Sequence, residues 1–390
     1  VIVAETISLG ILSLPMALST MGIIPGVILL VIFSAMSIYT GFAMTSFKIA
    51  HPQVTTFADA LELICGRRVG RLLGSSMQAL LLILIAAAHI VTFGGELNIL
   101  TDHATCMMVF TVAGAAISWA MSVPSRTFDK AKYVAVASCI SIACATAVAM
   151  GSIIHSHSSP FTAGITHPKP ASSFAKGAVA TSNMVLAYNG QMAYFSIMDE
   201  MEKPEDFRKS VALLGVVSTA VYVASAVVLY WFIGVDVKSP ALENAQPVLR
   251  KVAYGLATPT ILVAGVIPGL VAAKMICEAQ GSGESTLTPP PWLVWVIVVT
   301  GIYILAWVLA SVVPVFSQLL GLIGAALGTW FSLGIGGIFW LHLNWKAERD
   351  VKYWFGVAWA LFVIGVCAVT CVLGVWGTAV GLQGGRVFAC

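Results

Sequence analysis

Charged side chains are scarce in this sequence. Asp, Glu, Lys and Arg together make up 9% of the 390 residues, whereas 59% are hydrophobic. Soluble domains carry about 25% charged residues, so the composition excludes a water-soluble fold and indicates a membrane protein. The net charge is only +3 and comes without a basic cluster, so we expect no nucleic-acid partner.

Motifs for nucleotides and metals are missing as well. The chain has no G-x-x-x-x-G-K-S/T phosphate loop and no G-x-G-x-x-G fingerprint, which argues against an ATP-driven pump. Its eight cysteines include no C-x-x-C spacing, so we expect no metal site, no redox centre and no cofactor. An initiator methionine is also lacking. Val1 already lies in an apolar run, and we expect that a polar cytoplasmic N-terminal tail is missing.

Long apolar runs fill most of the chain. A helix that spans a bilayer needs about 20 mostly apolar residues. By this measure the sequence predicts an all-α membrane protein with about eleven transmembrane helices, at 1–21, 24–47, 72–93, 104–122, 133–154, 177–198, 211–233, 252–273, 292–313, 317–341 and 354–380. The boundary between the ninth and tenth spans is the least marked, because Pro314 is nearly the only interruption there.

The distribution of basic residues predicts the orientation. With a cytoplasmic N-terminus, 14 of the 20 Lys and Arg residues fall on the inner side and 6 on the outer side. Cytoplasmic loops of membrane proteins carry such an excess of Lys and Arg. The segment Gly94–His103 contains Glu96 and Asp102 but no basic residue, so we expect it to be an outer loop.

The spans divide into two sets of five within one transmembrane domain. We assign residues 1–154 to the first set, 177–341 to the second and 354–380 to an extra helix. Because each set has an odd number of helices, the second must run upside down relative to the first. Such a 5+5 inverted repeat is typical of secondary transporters.

The first helix of each set is interrupted by residues that weaken a helix. In the first span, Gly10 permits unusual backbone angles and Pro15 lacks an N–H group. We expect a half-helix to begin near Ile11 to Ser13, with its free N–H groups available to a carboxylate. A glycine and proline kink without a ligand is the alternative.

The second interruption lies in the sixth span. Tyr188, Asn189, Gly190 and Gln191 stand in an otherwise apolar segment. Backbone carbonyls released from a helix there can accept hydrogen bonds from an ammonium group, so the two breaks together suit an α-amino acid. The alternative role for Asn189 and Gln191 is hydrogen bonding between helices.

Three segments carry a family resemblance. They are ETISLGILSLP at 5–15, AYNGQ at 187–191 followed by DEMEKPEDFRK at 199–209, and a glycine-containing stretch with Pro314, Phe316, Gly321, Gly324, Gly328 and FWL at 339–341. Together they resemble the amino acid/auxin permease family, also called the transmembrane amino acid transporter family. The similarity is greatest to its fungal neutral amino acid permeases.

This resemblance implies a leucine-transporter-like inverted repeat of the amino acid-polyamine-organocation superfamily and secondary transport of amino acids. It further implies that the substrate backbone contacts Ser8, Leu9, Gly10 and Ile11 in the first helix and Tyr188, Asn189 and Gly190 in the sixth. From the residues around the two breaks, Ser13, Gln191 and Tyr194 join them as candidates for substrate binding.

The coupling ion is predicted from the eighth span. In sodium-coupled relatives a cation lies between the first helix and hydroxyl residues of the eighth, but here Ile261–Cys277 contains no Ser or Thr. We therefore expect coupling to a proton. His89, deep in the third span, is a candidate proton carrier because histidine titrates near physiological pH, and Glu5 and Asp199 are rivals. A neutral His89 that only hydrogen-bonds within the bundle is the alternative.

The sequence thus predicts a multi-pass permease of the plasma or vacuolar membrane that transports amino acids, neutral ones by preference, through proton symport and alternating access. Its partners would be a small-molecule amino acid and the lipid bilayer, with no obligate protein partner. A sodium-coupled transporter and a sensor that binds amino acids without transporting them are alternatives. An intramembrane enzyme that uses His89 is disfavoured, because no acid-base partner lies at a recognisable spacing.

Overall fold

The fold is built from helices and their connecting segments. The computed structural model describes residues 9–125, 131–156, 173–280, 291–313 and 315–382, and these contain no β-strand. The helices are α1 (Leu9–Met21), α2 (Ile23–Ala50), α3 (Phe57–Cys65), α4 (Arg67–Leu100), α5 (Met107–Ser122), α6 (Ala131–Ser156), α7 (Phe174–Ala187), α8 (Tyr194–Asp199), α9 (Phe207–Ile233), α10 (Pro247–Gln280), α11 (Trp292–Val312), α12 (Phe316–Ile323), α13 (Ile335–Asn344) and α14 (Val351–Leu382).

Eleven helical segments correspond to the predicted spans. Eight of those described are long and apolar enough to cross a membrane, and α12 and α13 together form one of these eight. The shorter apolar helices α1 and α5 and the interrupted pair α7–α8 account for the other three. The prediction of an all-α membrane protein is therefore confirmed.

Three predicted features lie outside the described residues. They are Glu5 and Ser8 near the N-terminus and Pro314 between the ninth and tenth spans. The helix limits differ from the predicted repeat limits by a few residues, since α6 ends at Ser156 and α13 ends at Asn344. The division into two inverted repeats and an extra helix stays a prediction.

The prediction of an outer loop at Gly94–His103 is wrong for most of that segment. Helix α4 continues to Leu100, so Glu96 is a helical residue and is fully buried. The glycine there serves helix packing and does not form a turn, because a Cβ added to Gly94 would lie 2.8 Å from Cγ2 of Thr111 in α5. Only the segment from Thr101, with Asp102, connects α4 to α5.

Helix α12 continues into α13 beside α7 without leaving the helical conformation. Two π-helical segments, Gly324–Gly328 and Trp330–Gly334, form this connection. A Cβ on Gly324 would overlap the backbone carbonyl of Ser182 in α7, so the glycine allows the two helices to touch. The π-helical connection is thereby held against the end of α7, where the chain leaves the helix.

Candidate functional site at a helix break

The sixth predicted span is broken at the expected place. Helix α7 ends at Ala187, and a short 3₁₀ helix at Gln191–Ala193 leads into α8. Within the break, the Asn189 N–H group donates to the Leu186 carbonyl at 3.0 Å. The Gly190 N–H group donates to the side-chain Oε1 of Gln191 at 3.0 Å. The same N–H group also lies 3.1 Å from the Tyr188 carbonyl, so the Gln191 side chain supplements a backbone hydrogen bond in the break.

Two neighbouring helices hold the break in place. The Gln191 Nε2 atom donates to Oγ of Ser37 in α2 at 2.6 Å. From α9, the Tyr222 hydroxyl donates to the Ala187 carbonyl at 2.8 Å. All of these polar groups are buried, and inside a membrane protein such backbone needs protein partners of this kind.

Helix α1 approaches the break at Gly10. A Cβ on Gly10 would lie 2.9 Å from Cα and 3.0 Å from Cβ of Ala187, so only glycine lets the two backbones come this close. The described residues Leu9–Met21 are helical throughout, with Pro15 inside the helix, so the predicted interruption from Gly10 to Pro15 and the predicted half-helix start near Ile11 to Ser13 are wrong. Because Pro15 has no N–H group, the Ile11 carbonyl lacks its intrahelical donor.

Several buried polar atoms around the break have no hydrogen-bond partner. They are Asn189 Nδ2, Gln78 Oε1 and Ser218 Oγ. The other ends of two of these side chains are bonded, since the Ser332 hydroxyl donates to Asn189 Oδ1 at 3.3 Å and Gln78 Nε2 donates to the Met192 carbonyl at 3.3 Å. Unpaired buried polar atoms are costly, and these three atoms could find their missing partners in a ligand.

A small cavity lies on the α2 and α9 side of the break. Its volume is about 10 Å³, enough for about one water molecule. It is lined by Ser37, Ile38, Tyr188, Tyr194, Val211, Leu214, Gly215 and Ser218. Tyr188 and Tyr194 thus border α2 and α9, whereas Gly10 lies against Ala187. An amino acid would require the helices around this cavity to move apart.

Five phenylalanines form an aromatic plug next to α8. They are Phe47, Phe57, Phe195, Phe331 and Phe339, and all five are buried. The ring centroids of Phe47 and Phe339 are 4.4 Å apart and those of Phe57 and Phe331 are 4.6 Å apart. Phe195 of α8 packs edge-on against Phe339 at 5.8 Å. With the orientation favoured by the basic residues, the plug closes the cytoplasmic side of the break.

An ion pair lies beyond the plug. The ammonium of Lys48, which is 4% exposed, donates to Asp199 Oδ1 at 2.7 Å and to the carbonyls of Pro52 and Val54 at 2.9 and 2.7 Å. All three N–H donors of the ammonium are therefore used. The contacts join α2, the segment before α3 and α8 at the inner end of the bundle.

We expect Asp199→Asn to leave proton coupling intact and to loosen the inner end. Asp199 is 46% exposed and already occupied by Lys48, so its position suits a structural contact. The ratio of uptake with and without a pH gradient should stay within about twofold of wild type. Thermal stability of the purified protein should fall more for Lys48→Met, which leaves two carbonyls and a carboxylate unpaired. Loss of pH-driven accumulation in Asp199→Asn would instead identify Asp199 as the proton carrier.

His89 lies away from the break, against α10. Its Nδ1 is 2.9 Å from the Ile85 carbonyl, and its Nε2 is buried without a partner. A Cβ on Gly265 of α10 would lie 2.8 Å from Cβ of His89, so the two helices pack closely at this level. One of the two ring nitrogens of His89 therefore has a hydrogen-bond partner, and the other has none.

The structure brings together most of the described candidates for substrate binding. Gly10 and the segment 188–191 meet at the end of α7, and Ile11 and Ser13 follow Gly10 in α1. Leu9 is the first described residue of α1, and Ser8 is outside the described residues. Five further polar residues at the break were not predicted: Ser37, Gln78, Ser218, Tyr222 and Ser332. Each is one hydroxyl or amide in an apolar span, a signal too common to single them out.

Comparison with protein families identifies the family of this chain. The model of the family described as transmembrane amino acid transporter protein matches residues 1–380. The chain belongs to the transmembrane amino acid transporter family. It is consequently a multi-pass integral membrane protein of a transporter family, and amino acid transport is the activity class that this membership supports.

Individual similar proteins agree with this family membership. An N amino acid transport system protein of Neurospora crassa is 35% identical over 94% of this chain and 80% of the relative. A transmembrane transporter of Fusarium pseudograminearum is 29% identical over 91% of this chain and 77% of the relative. The crystal structure of MhsT in complex with L-phenylalanine has a TM-score of 0.63 over 97% of each chain at 10% identity. The transporter therefore has the leucine-transporter-like fold that the resemblance implied.

Proposed function

We propose that this protein is a proton symporter for neutral amino acids that works by alternating access. The break between α7 and α8 is the observation that carries the proposal. It holds three buried polar atoms without partners, Asn189 Nδ2, Gln78 Oε1 and Ser218 Oγ, at a place where a membrane helix would otherwise be continuous. The N amino acid transport system protein of Neurospora crassa supports amino acids as the substrates.

Recognition of the amino acid backbone would use both sides of the Gly10 contact. We propose that backbone N–H groups near Gly10 would bind the substrate carboxylate. Carbonyls of the break, together with Gln78 Oε1, supply acceptors for the substrate ammonium. The α1 side of the substrate site would also include Ser8, Leu9, Ile11 and Ser13. The side formed by the helix break would include Tyr188, Asn189, Gly190, Gln191 and Tyr194.

A preference for neutral side chains follows from the chemistry of the break. Its polar groups are hydroxyls and amides, those of Ser37, Gln78, Asn189, Gln191 and Ser332. The nearest charged pair named above, Lys48 and Asp199, is already satisfied internally. A substrate with a charged side chain would have to bury that charge without a counter-ion, which costs several kcal/mol.

Alternating access would require the inner closure to open. The aromatic plug and the Lys48–Asp199 pair both lie between the break and the inner end of α2, so their separation would release substrate to the cytoplasm. We further propose that the two sets of five helices form the inverted repeat that makes such rocking possible. The plasma membrane and the vacuolar membrane are the proposed locations.

A proton is the proposed coupling ion. Helix α10 lacks Ser and Thr between Ile261 and Cys277, which leaves few oxygen ligands for sodium on this helix. The sequence predicts His89, Glu5 and Asp199 as candidate carriers. His89 is buried in α4 with one ring nitrogen unpaired, whereas Asp199 is already engaged by Lys48.

Uptake into proteoliposomes tests the function directly. With the full-length protein, we expect labelled neutral amino acids to accumulate several-fold more when the outside is at pH 5.5 and the inside at pH 7.5. Competition by each of the twenty amino acids would define the substrate class. If collapse of the pH gradient leaves uptake unchanged while removal of sodium abolishes it, proton symport is refuted and sodium coupling replaces it.

The same assay separates transport from sensing. A sensor on this scaffold would bind amino acids with the same groups but show no flux above empty liposomes. Equilibrium binding of the labelled amino acid to purified protein, measured in parallel, would then remain positive while uptake is absent.

A further inference from the structure

Glu96 is a buried carboxyl that the proposed substrate site does not use. It lies four residues before the end of α4 and is 0% exposed. The Thr258 hydroxyl of α10 donates to its Oε1 atom, and its Oε2 atom has no hydrogen-bond partner. With the orientation favoured by the basic residues, this contact lies in the outer part of the bundle.

The hydroxyl of Thr258 lies within hydrogen-bond distance of two acceptors. It is placed to donate to Glu96 Oε1 and, at 3.1 Å, to the Tyr254 carbonyl, although a hydroxyl has one proton. A protonated Glu96 removes this conflict. The carboxyl O–H then donates to Thr258 Oγ1, and the Thr258 hydroxyl donates to the Tyr254 carbonyl, so each donor has one acceptor.

No cation pairs with Glu96 within the part of the chain that the structure describes. None of the ion pairs in the described ranges includes it. Lys251 of α10 is engaged by Asp102 at 2.6 Å, and Arg250 lies within electrostatic range of Glu243 and Tyr254. An unpaired buried carboxylate is strongly disfavoured, and inside a membrane such groups commonly mark ion or proton pathways.

The other helices packed against α4 bring few titratable groups. Helices α5 (Met107–Ser122) and α12 (Phe316–Ile323) contain none. Helix α11 contributes only Tyr303, whose hydroxyl is bonded to Ser122 at 2.8 Å. Helix α3 carries Asp59 and Glu62, which pair with Arg71 at the start of α4, the opposite end from Glu96.

Tyr254, Glu243 and His89 are further titratable groups near Glu96. The Tyr254 phenol is within electrostatic range of both Glu96 and Glu243. Glu243 lies in the connection between α9 and α10, where burial raises the pKa of its carboxyl and the charges of Lys238, Arg250 and His103 oppose that rise. Inward along α4, His89 is seven residues from Glu96 and therefore shares its helix face.

We propose that Glu96, paired with Thr258, is the binding site for the co-transported proton. The carboxylate takes the proton from hydronium that enters from the outer side, leaving water, and returns it when the α4–α10 contact changes during transport. This inference rests on the proposed function, since it names the residue that couples the proton to the amino acid.

Glu96→Gln tests this assignment because glutamine keeps the shape of a protonated carboxyl but cannot release a proton. In proteoliposomes, we expect pH-driven accumulation to fall at least tenfold, whereas counterflow exchange of labelled for unlabelled amino acid persists within about threefold of wild type. The dependence of uptake on pH between 5 and 8 should flatten. Accumulation equal to wild type would overturn the proposal.

Asp102→Asn is the matched control. It removes a carboxyl from the same end of α4, but Asp102 is exposed, and its hydrogen bond and ion pair with Lys251 lower the pKa of this group below its usual value. It therefore stays ionised throughout the assay range, and the variant should behave as wild type. If Asp102→Asn also loses pH-driven accumulation, the effect is not specific to Glu96.

Infrared spectroscopy gives a readout that does not depend on transport. We expect a carbonyl-stretch band of a protonated carboxyl in the purified wild-type protein at pH 6, and its absence in Glu96→Gln. An unchanged band would overturn the assignment even if that variant is inactive. Absence of any uptake by the wild type would instead refute the proposed symport, and the infrared result would still report whether Glu96 binds a proton.

Discussion

Gly10→Leu should abolish substrate binding while the protein still folds. A Cβ at this position already lies 2.9 Å from Cα of Ala187, closer than real Cβ atoms approach a backbone, and leucine adds three further carbons. Helix α1 must then move away from the end of α7, which separates the two sides of the proposed substrate site. We expect affinity for the preferred amino acid to fall at least 100-fold, about 2.7 kcal/mol, as measured by equilibrium binding to purified protein.

A graded series makes this prediction specific. Gly10→Ala should cause an intermediate loss of about tenfold, because only the first carbon intrudes. Gly177→Ala in α7 is the control, since a Cβ there meets no atom within 4 Å, and it should bind as wild type does. Full affinity in Gly10→Leu, with a normal melting temperature, would move the substrate site away from α1.

Phe195→Ala should open the inner side of the break. The ring of Phe195 is fully buried within the aromatic plug, between Phe57 at 6.0 Å and Phe339 at 5.8 Å. Its removal leaves a cavity where the plug closes the path, and substitutions of this kind cost about 3–5 kcal/mol. Most of this destabilisation should fall on the conformation that is closed to the cytoplasm. We therefore expect the protein to shift toward the inward-open state.

Labelling of a cysteine beside the break would measure the shift. Ser37→Cys supplies the reporter, in a background from which the exposed cysteines have been replaced, and an impermeant thiol reagent is applied from the cytoplasmic side. We expect labelling to accelerate about tenfold in Phe195→Ala. Phe355→Ala is the matched control, because this phenylalanine of α14 is 74% exposed and should not alter the rate. An unchanged rate in Phe195→Ala would show that the plug does not limit access.

Prediction from the sequence succeeded where a physical constraint acts locally along the chain. Each apolar run of sufficient length had to become a spanning helix, and a backbone interrupted by Tyr188, Asn189 and Gly190 had to leave the helix. The family membership and the leucine-transporter-like fold agree with this picture. Proton coupling and the roles of individual site residues stay predictions, because they depend on contacts between spans.

The misplaced loop illustrates that dependence. Gly94 and Gly95, followed by Glu96, resemble the end of a helix when taken alone. In the structure Gly94 allows α5 to approach through Thr111, and Glu96 finds a partner in Thr258 of α10, 162 residues away. No local pattern distinguishes a glycine that ends a helix from one that lets another helix pack against it.

The sequence by itself determined the environment, the number of spans and the position of the break, because hydrophobic length and backbone hydrogen bonding are properties of single segments. Tertiary structure alone decided which groups meet. It placed Gly10 against Ala187, joined Lys48 to Asp199, assembled five phenylalanines from separate helices into one plug and buried Glu96 beside Thr258. The energies of these contacts come from desolvation and close packing between distant segments, which exist only once the helices have assembled.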